Sequence, residues 1–147
     1  MGASLGNALG YNRETLSMSV QDTTAKRVVA DLVMAILAVN GWTIDRVYSL
    51  REGLKAETLL SLKDLSRSSI QEIANKLNVA GYTRGEYMCA LLAHRLKALT
   101  ISFDSQFERE LLNALKARRI EDVEKFLVAI HGVGPSVVRS FKVLAGL

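Results

Sequence analysis

Residues 120–144 read IEDVEKFLVAIHGVGPSVVRSFKVL, and this stretch decides the fold. Ile120, Val123, Leu127 and Ile130 follow spacings of three, four and three, the signature of one apolar helix face. Gly132-Val133-Gly134 then interrupts the period, and Pro135 opens a second helix, since a proline at the first helical position gives up an N–H that would be unpaired anyway. Val137, Phe141 and Leu144 turn inward on that helix, leaving Arg139 and Lys142 to solvent. The unit is a helix, a tight Gly-x-Gly hairpin and a helix. Two glycines permit positive φ and close backbone approach, so the hairpin amides can converge on an anion, and the positive end of the following helix points the same way. From Lys125 onward the chain carries Lys125, Arg139 and Lys142 and no acid, which makes the segment locally positive. The plain alternative is a tight turn between two helices, as any bundle needs.

Working outward, the rest of the chain is also helical. Val28, Leu32 and Ile36 form one row four apart, and Val29, Val33 and Leu37 form a second beside it, which predicts a buried central helix capped by Asp22 and ended at Gly41. Short helices are expected over about 44–52, 56–61 and 69–77, separated by Gly53, by Leu62 to Arg67 and by the Val79-Ala80-Gly81 turn. Ser68 with Gln71, or Ser69 with Glu72, supplies a capping box at the third. A longer helix over about 85–99 carries Leu92, Leu96 and Leu99 on one stripe. Ser105 and Glu108 then suggest another capping box, opening a helix to about Ala117. Alternating apolar and polar runs that would mark strands are absent, so the expected class is all-α. Residues 1–20 read as a loose, flexible N-terminal arm, with the helical domain over 21–147.

Composition sets the outer bounds. A chain of 147 residues, 49% hydrophobic and 23% charged, has the make-up of one globular domain with its own core rather than a disordered tail. The single cysteine, Cys89, excludes an intrachain disulfide framework, a cysteine-rich zinc site and a four-cysteine iron–sulfur cluster. The longest apolar run, Val28 to Val39, is broken by Asp31 and is short of the roughly 20 residues a bilayer requires. No basic segment leads into an apolar run at the N-terminus, so a cytoplasmic protein with no membrane partner is expected. The net charge of +4 permits a polyanionic partner without demanding one.

The pattern LVAIHGVGPSVVRSF resembles the helix-hairpin-helix signature of DNA-binding proteins. The resemblance extends over most of the chain, from about Val28 to Leu147, to the endonuclease III-like superfamily of DNA glycosylases. Three upstream anchors carry it: the apolar helix ending in LAVNGWT, the segment LLSLKDLSRSSIQEIANKLNVAGYTRGE, and the long helix to LKAL. It implies an all-α, multi-helix glycosylase-like domain ending in a helix-hairpin-helix over 120–146. DNA is the implied partner, bound at Gly132, Val133, Gly134 and Ser136 and steered by Lys125, Arg139 and Lys142. It also implies that Asn40 enters the space left by a flipped nucleotide, and that Tyr82 wedges beside the opposite base, where stacking is worth about 1–3 kcal/mol. The plain alternatives are that Asn40 only ends the central helix and that Tyr82 is a core or surface aromatic. A monovalent cation held by the main-chain carbonyls of Val128, Ile130 and Val133 is the one cofactor the resemblance suggests.

Catalysis is where the pattern departs from the family. Members that also cleave the strand use a lysine where this chain has Ser136, and a serine forms no Schiff base. The catalytic aspartate expected well beyond Ser136 is not reached before Leu147. Asp104, Glu121, Asp122 and Glu124 read as cap, first-turn and solvent charges. His131 takes the place of the family's usual proline, His94 sits mid-helix, and Cys89 has no recognisable partner. The expectation is a DNA-binding protein without base-excision activity. The alternatives are a fragment of an active glycosylase whose aspartate lies beyond residue 147, and a helical protein-interaction module. The last helix would also arrive at the chain end with Val137, Val138, Phe141, Val143, Leu144 and Leu147 poorly covered, so either the N-terminal arm, through Leu5, Leu9, Tyr11 and Leu16, or a second copy in a homodimer is expected to pack on it.

Overall fold

The computed structural model describes residues 13–147, with side chains from Thr24 onward, and every regular element among them is a helix. In chain order these are α1 (Arg13–Leu37), α2 (Ile44–Tyr48), α3 (Arg51–Ala56), α4 (Leu62–Arg67), α5 (Ile70–Val79), α6 (Gly85–Ser102), α7 (Ser105–Lys116), α8 (Ile120–Val128) and α9 (Pro135–Leu144). None of the described helices is long and apolar enough to cross a membrane.

α1 is the centre. Every residue from Val28 to Ala38 is buried, because both apolar rows and the residues between them meet neighbours: α9, α2, α6 and α7 all pack on this helix. The one charge in that stretch, Asp31, is 7% exposed, and burial raises its carboxyl from 3.8 to about 6 against the opposing pull of Arg27 and Arg51. The helix runs back to Arg13, so residues 13–20 belong to it rather than to an arm, and Asp22 lies within it rather than capping it. Its far end breaks where Asn40 and Gly41 both take positive φ (54° and 94°).

The short helices begin where polar caps dictate. Thr43 accepts from the N–H of Arg46 (3.2 Å), Ser61 from Asp64 (3.3 Å), and Asp104 from Phe107 (2.8 Å). Ser69 and Glu72 form a complete capping box, with bonds of 3.1 and 3.0 Å. Several boundaries differ from expectation. Residues 62–67, read as a linker, form α4, whose C-terminal carbonyls at Ser66 and Ser68 take bonds of 2.7 and 2.6 Å from the Lys97 ammonium on α6. Gly53, read as a break, lies inside α3, where a Cβ would stand 2.8 Å from the carbonyl oxygen of Ala80; its glycine serves close packing, not chain reversal. α7 opens one residue early, with Asp104 rather than Ser105 at the cap.

The C-terminal helix is covered from within the described residues. α9 lies on α1 and α8, which bury Val137, Val138 and Phe141 and half-bury Leu144 and Leu147, leaving Val143 as its one exposed large apolar residue. The arm residues Leu5, Leu9 and Tyr11 lie outside the described residues, as does the side chain of Leu16.

Candidate functional site

The α8–α9 turn is built from two plugs and two glycines. Ile130 and Val133 point into the core, 2% and 8% exposed, and pin the turn from below. The N–H of Ile130 donates to Leu127 O and that of Val133 to Ile130 O, each at 3.1 Å. Between the plugs, His131 and Gly132 are pushed outward into solvent, and Gly132 takes φ +85°, a region that carries a steric cost for any residue with a Cβ. Gly134 differs: its φ of −110° and ψ of −173° are extended backbone, and a Cβ there would meet nothing within 4 Å. The positive φ that two glycines permit is therefore taken up at Gly132 and not at Gly134.

α9 starts bare. Gly134 has no side chain to cap it and the first turn holds no acid, whereas every other helix whose cap is described begins with a capping side chain, a first-turn acid or both. Its first N–H groups and the positive end of its dipole are consequently unmatched among the described residues. Beside them stands Arg95 of α6, which pattern reading did not single out. A Cβ on Gly132 would lie 3.4 Å from Arg95 Cγ and 3.7 Å from Cδ, so the arginine stem runs along the face of the turn. The half-buried Arg95 makes no hydrogen bond or ion pair among the described residues.

The remaining candidates divide. Ser136, Lys125 and Arg139 are exposed near the turn. Lys142 is not an open charge: its ammonium pairs with Glu124 at 3.0 Å and ties α9 to α8. Ile130 O is occupied by Val133 N–H, while no backbone N–H among the described residues donates to Val128 O or Val133 O from the turn. Asp104 and Asp122 are engaged as a cap and as a 3.0 Å partner of Arg119, in line with their reading as structural charges.

Tyr82 requires a correction. It is fully buried, donates its hydroxyl to Leu37 O at 2.6 Å and accepts from Arg84 at 2.9 Å, so it locks the end of α1 and is not presented as a surface wedge. The same Arg84 donates to Val39 O at 2.6 Å and to Asn40 O, clamping the break after α1. Asn40 itself is exposed at positive φ, its amide 3.8 Å from Met88 Sδ. Met88 and Arg95 are seven residues apart on α6, two turns or about 10 Å along its axis. Asn40 and Gly132 thus flank one side of that helix. No signal local to residue 82 marks its burial, because its partner carbonyl is 45 residues away in the chain.

Among the described residues no group of three or more His, Cys, Asp or Glu is arranged to hold a metal ion. No protein-family model matches the chain, and no curated protein or solved structure matches it.

Proposed function

We propose that the α8–α9 turn is a phosphate-contact hairpin through which this protein binds duplex DNA without sequence preference. The observation that carries the reading is the uncapped, acid-free N-terminus of α9, with the stem of Arg95 lying against Gly132 of the same turn. On this reading a phosphodiester oxygen accepts from the backbone donors of the turn and the flexible Arg95 head reaches it from α6. Lys125 and Arg139 add long-range attraction, and the carbonyls of Val128 and Val133 are open to a monovalent cation bridging to the same phosphate. Contacts of this kind position a duplex without reading its bases. Asn40, about two turns along the same side of α6 from Gly132, is the candidate for contact with a base. The reading is that of a glycosylase-like binder, and Ser136, which offers no amine nucleophile, leaves it without Schiff-base strand cleavage.

The test is fluorescence anisotropy with a labelled duplex over a salt series. Affinity should fall steadily with salt as phosphate-bound cations are released. Gly132→Ala combined with Arg95→Gln should weaken binding in a protein that stays folded. Binding indifferent to both salt and these substitutions would refute the reading.

A further inference from the structure

The loop that follows α1 presents an arginine that is held in place and has no anionic partner. Arg46, exposed on α2, lays its guanidinium 3.8 Å above the ring centre of Trp42, and its side chain makes no hydrogen bond or ion pair among the described residues. Stacking of this kind fixes the planar head and leaves its edge of N–H donors to solvent. The rotamer freedom that a surface arginine gives up on gripping an anion is thus already partly spent. The ring beneath it is firmly placed. Trp42 is half-buried against the core, and Arg84 ties down the residues before it by donating to Val39 O at 2.6 Å and to Asn40 O. Those acceptors are neutral, so the charge of Arg84, 5.7 Å from the same ring, adds to that of Arg46. Asp45 and Glu86, the nearest acids along the chain, form an ion pair with neither arginine.

Position adds to charge. Asn40, two residues before Trp42, touches Met88, which lies two turns of α6, or about 10 Å, from the arginine stem at Gly132. One helical turn of duplex, about 34 Å long, spans both places. We propose that Arg46, seated on Trp42, is a second phosphate contact for the duplex, made at the α1–α2 loop with none of the hairpin's residues. It rests on the reading of the protein as a DNA binder and extends that reading from one point of contact to two. A guanidinium fork at a phosphate positions the backbone, as the hairpin does, and reads no base.

Trp42 is the only tryptophan of the chain, so its emission reports on this contact without any substitution. On titration of the full chain with an unlabelled duplex, that emission should change saturably, with the midpoint that anisotropy gives, and return when salt releases the DNA. Arg46→Gln, checked for an unchanged circular dichroism spectrum, should weaken binding roughly three- to tenfold and lower the slope of log affinity against log salt by about one. Arg46→Lys keeps the charge without the planar fork, so it should lose less and keep the slope. The two contacts can fail separately. Duplex binding that Gly132→Ala with Arg95→Gln weakens, but that leaves Trp42 emission unchanged and is indifferent to Arg46→Gln, overturns the second contact and leaves the hairpin standing. Binding that moves Trp42 emission and responds to Arg46→Gln, but not to the hairpin substitutions, sustains the second contact and removes the first. Absence of duplex binding overturns both.

Discussion

Two turns in this molecule begin almost identically and end differently. α5 and α8 each finish in Val-Ala, with the valine exposed and the alanine cap in right-handed conformation (φ −71°, ψ −9° at Ala80; φ −72°, ψ −17° at Ala129). After α5 the positive-φ glycine follows at once. Gly81 N–H bonds Asn78 O at 3.1 Å and Tyr82 N–H bonds Leu77 O at 2.9 Å, the paired closure that spends the helix's last carbonyls. Tyr82 then drops into the core. After α8 the glycine comes two positions later, Ile130 takes the inward place, and the chain loops outward before α9. The first turn closes back on its own helix, with Leu77 O and Asn78 O taken by the N–H groups of Tyr82 and Gly81. The second retains open carbonyls, a bare helix N-terminus and an unpaired arginine. Glycine position relative to the helix end, rather than glycine content, separates a structural lock from a surface that can receive a ligand.

Substitutions can break this contrast. The largest effect belongs to the locked turn: Tyr82→Ala should cost about 3–5 kcal/mol through lost packing, and Tyr82→Phe about 1–3 kcal/mol because Leu37 O loses its donor. Chemical denaturation reads both, and neither should alter DNA affinity while the protein is folded. Next, Gly81→Ala and Gly132→Ala should each cost about 1–2 kcal/mol, since both positions have positive φ. Only Gly132→Ala should also weaken DNA binding, and with Arg95→Gln the loss should be about tenfold, or 1.4 kcal/mol. Equal DNA affinities for the two alanine variants would erase the distinction between the turns. A smaller effect is expected of Glu124→Gln, which frees Lys142 from a partly exposed pair worth under about 1 kcal/mol and should raise DNA affinity a few-fold in the anisotropy titration. The smallest belongs to Gly134→Ala, whose extended backbone and open surroundings predict a stability change within about 0.5 kcal/mol.

How far the sequence was legible follows the range of the interactions involved. The two apolar rows of α1, the Ser69–Glu72 box and the Gly-Val-Gly-Pro turn are local patterns, and each could be read from a few neighbouring residues. Gly53 was misread because a glycine kept for close approach to Ala80 looks the same in sequence as one that ends a helix. α4 was missed because six residues carry little periodicity, and its end is satisfied by Lys97 from about 30 positions away. The same holds at the site. Gly132 was visible, but Arg95 was not, since nothing in its own stretch of α6 shows that its stem lies against the turn. The cover over the C-terminal helix was likewise supplied by α1 from the other end of the described chain.

Asp31 has a further consequence, for the proton balance of folding. A carboxyl whose value rises from 3.8 to about 6 takes up a proton when the chain folds anywhere between those pH values. The folded state thus gains relative stability as the medium is acidified from 6 toward 3.8, and above pH 6 it carries the full penalty of a buried carboxylate, roughly 3 kcal/mol. A midpoint of denaturation that rises as the pH is lowered from 7.5 to 5, and an Asp31→Asn variant that is more stable at pH 7.5 and has lost that slope, are the expected signs. Burying an acid at the heart of the apolar helix thus makes the protein's stability respond to mild acidity.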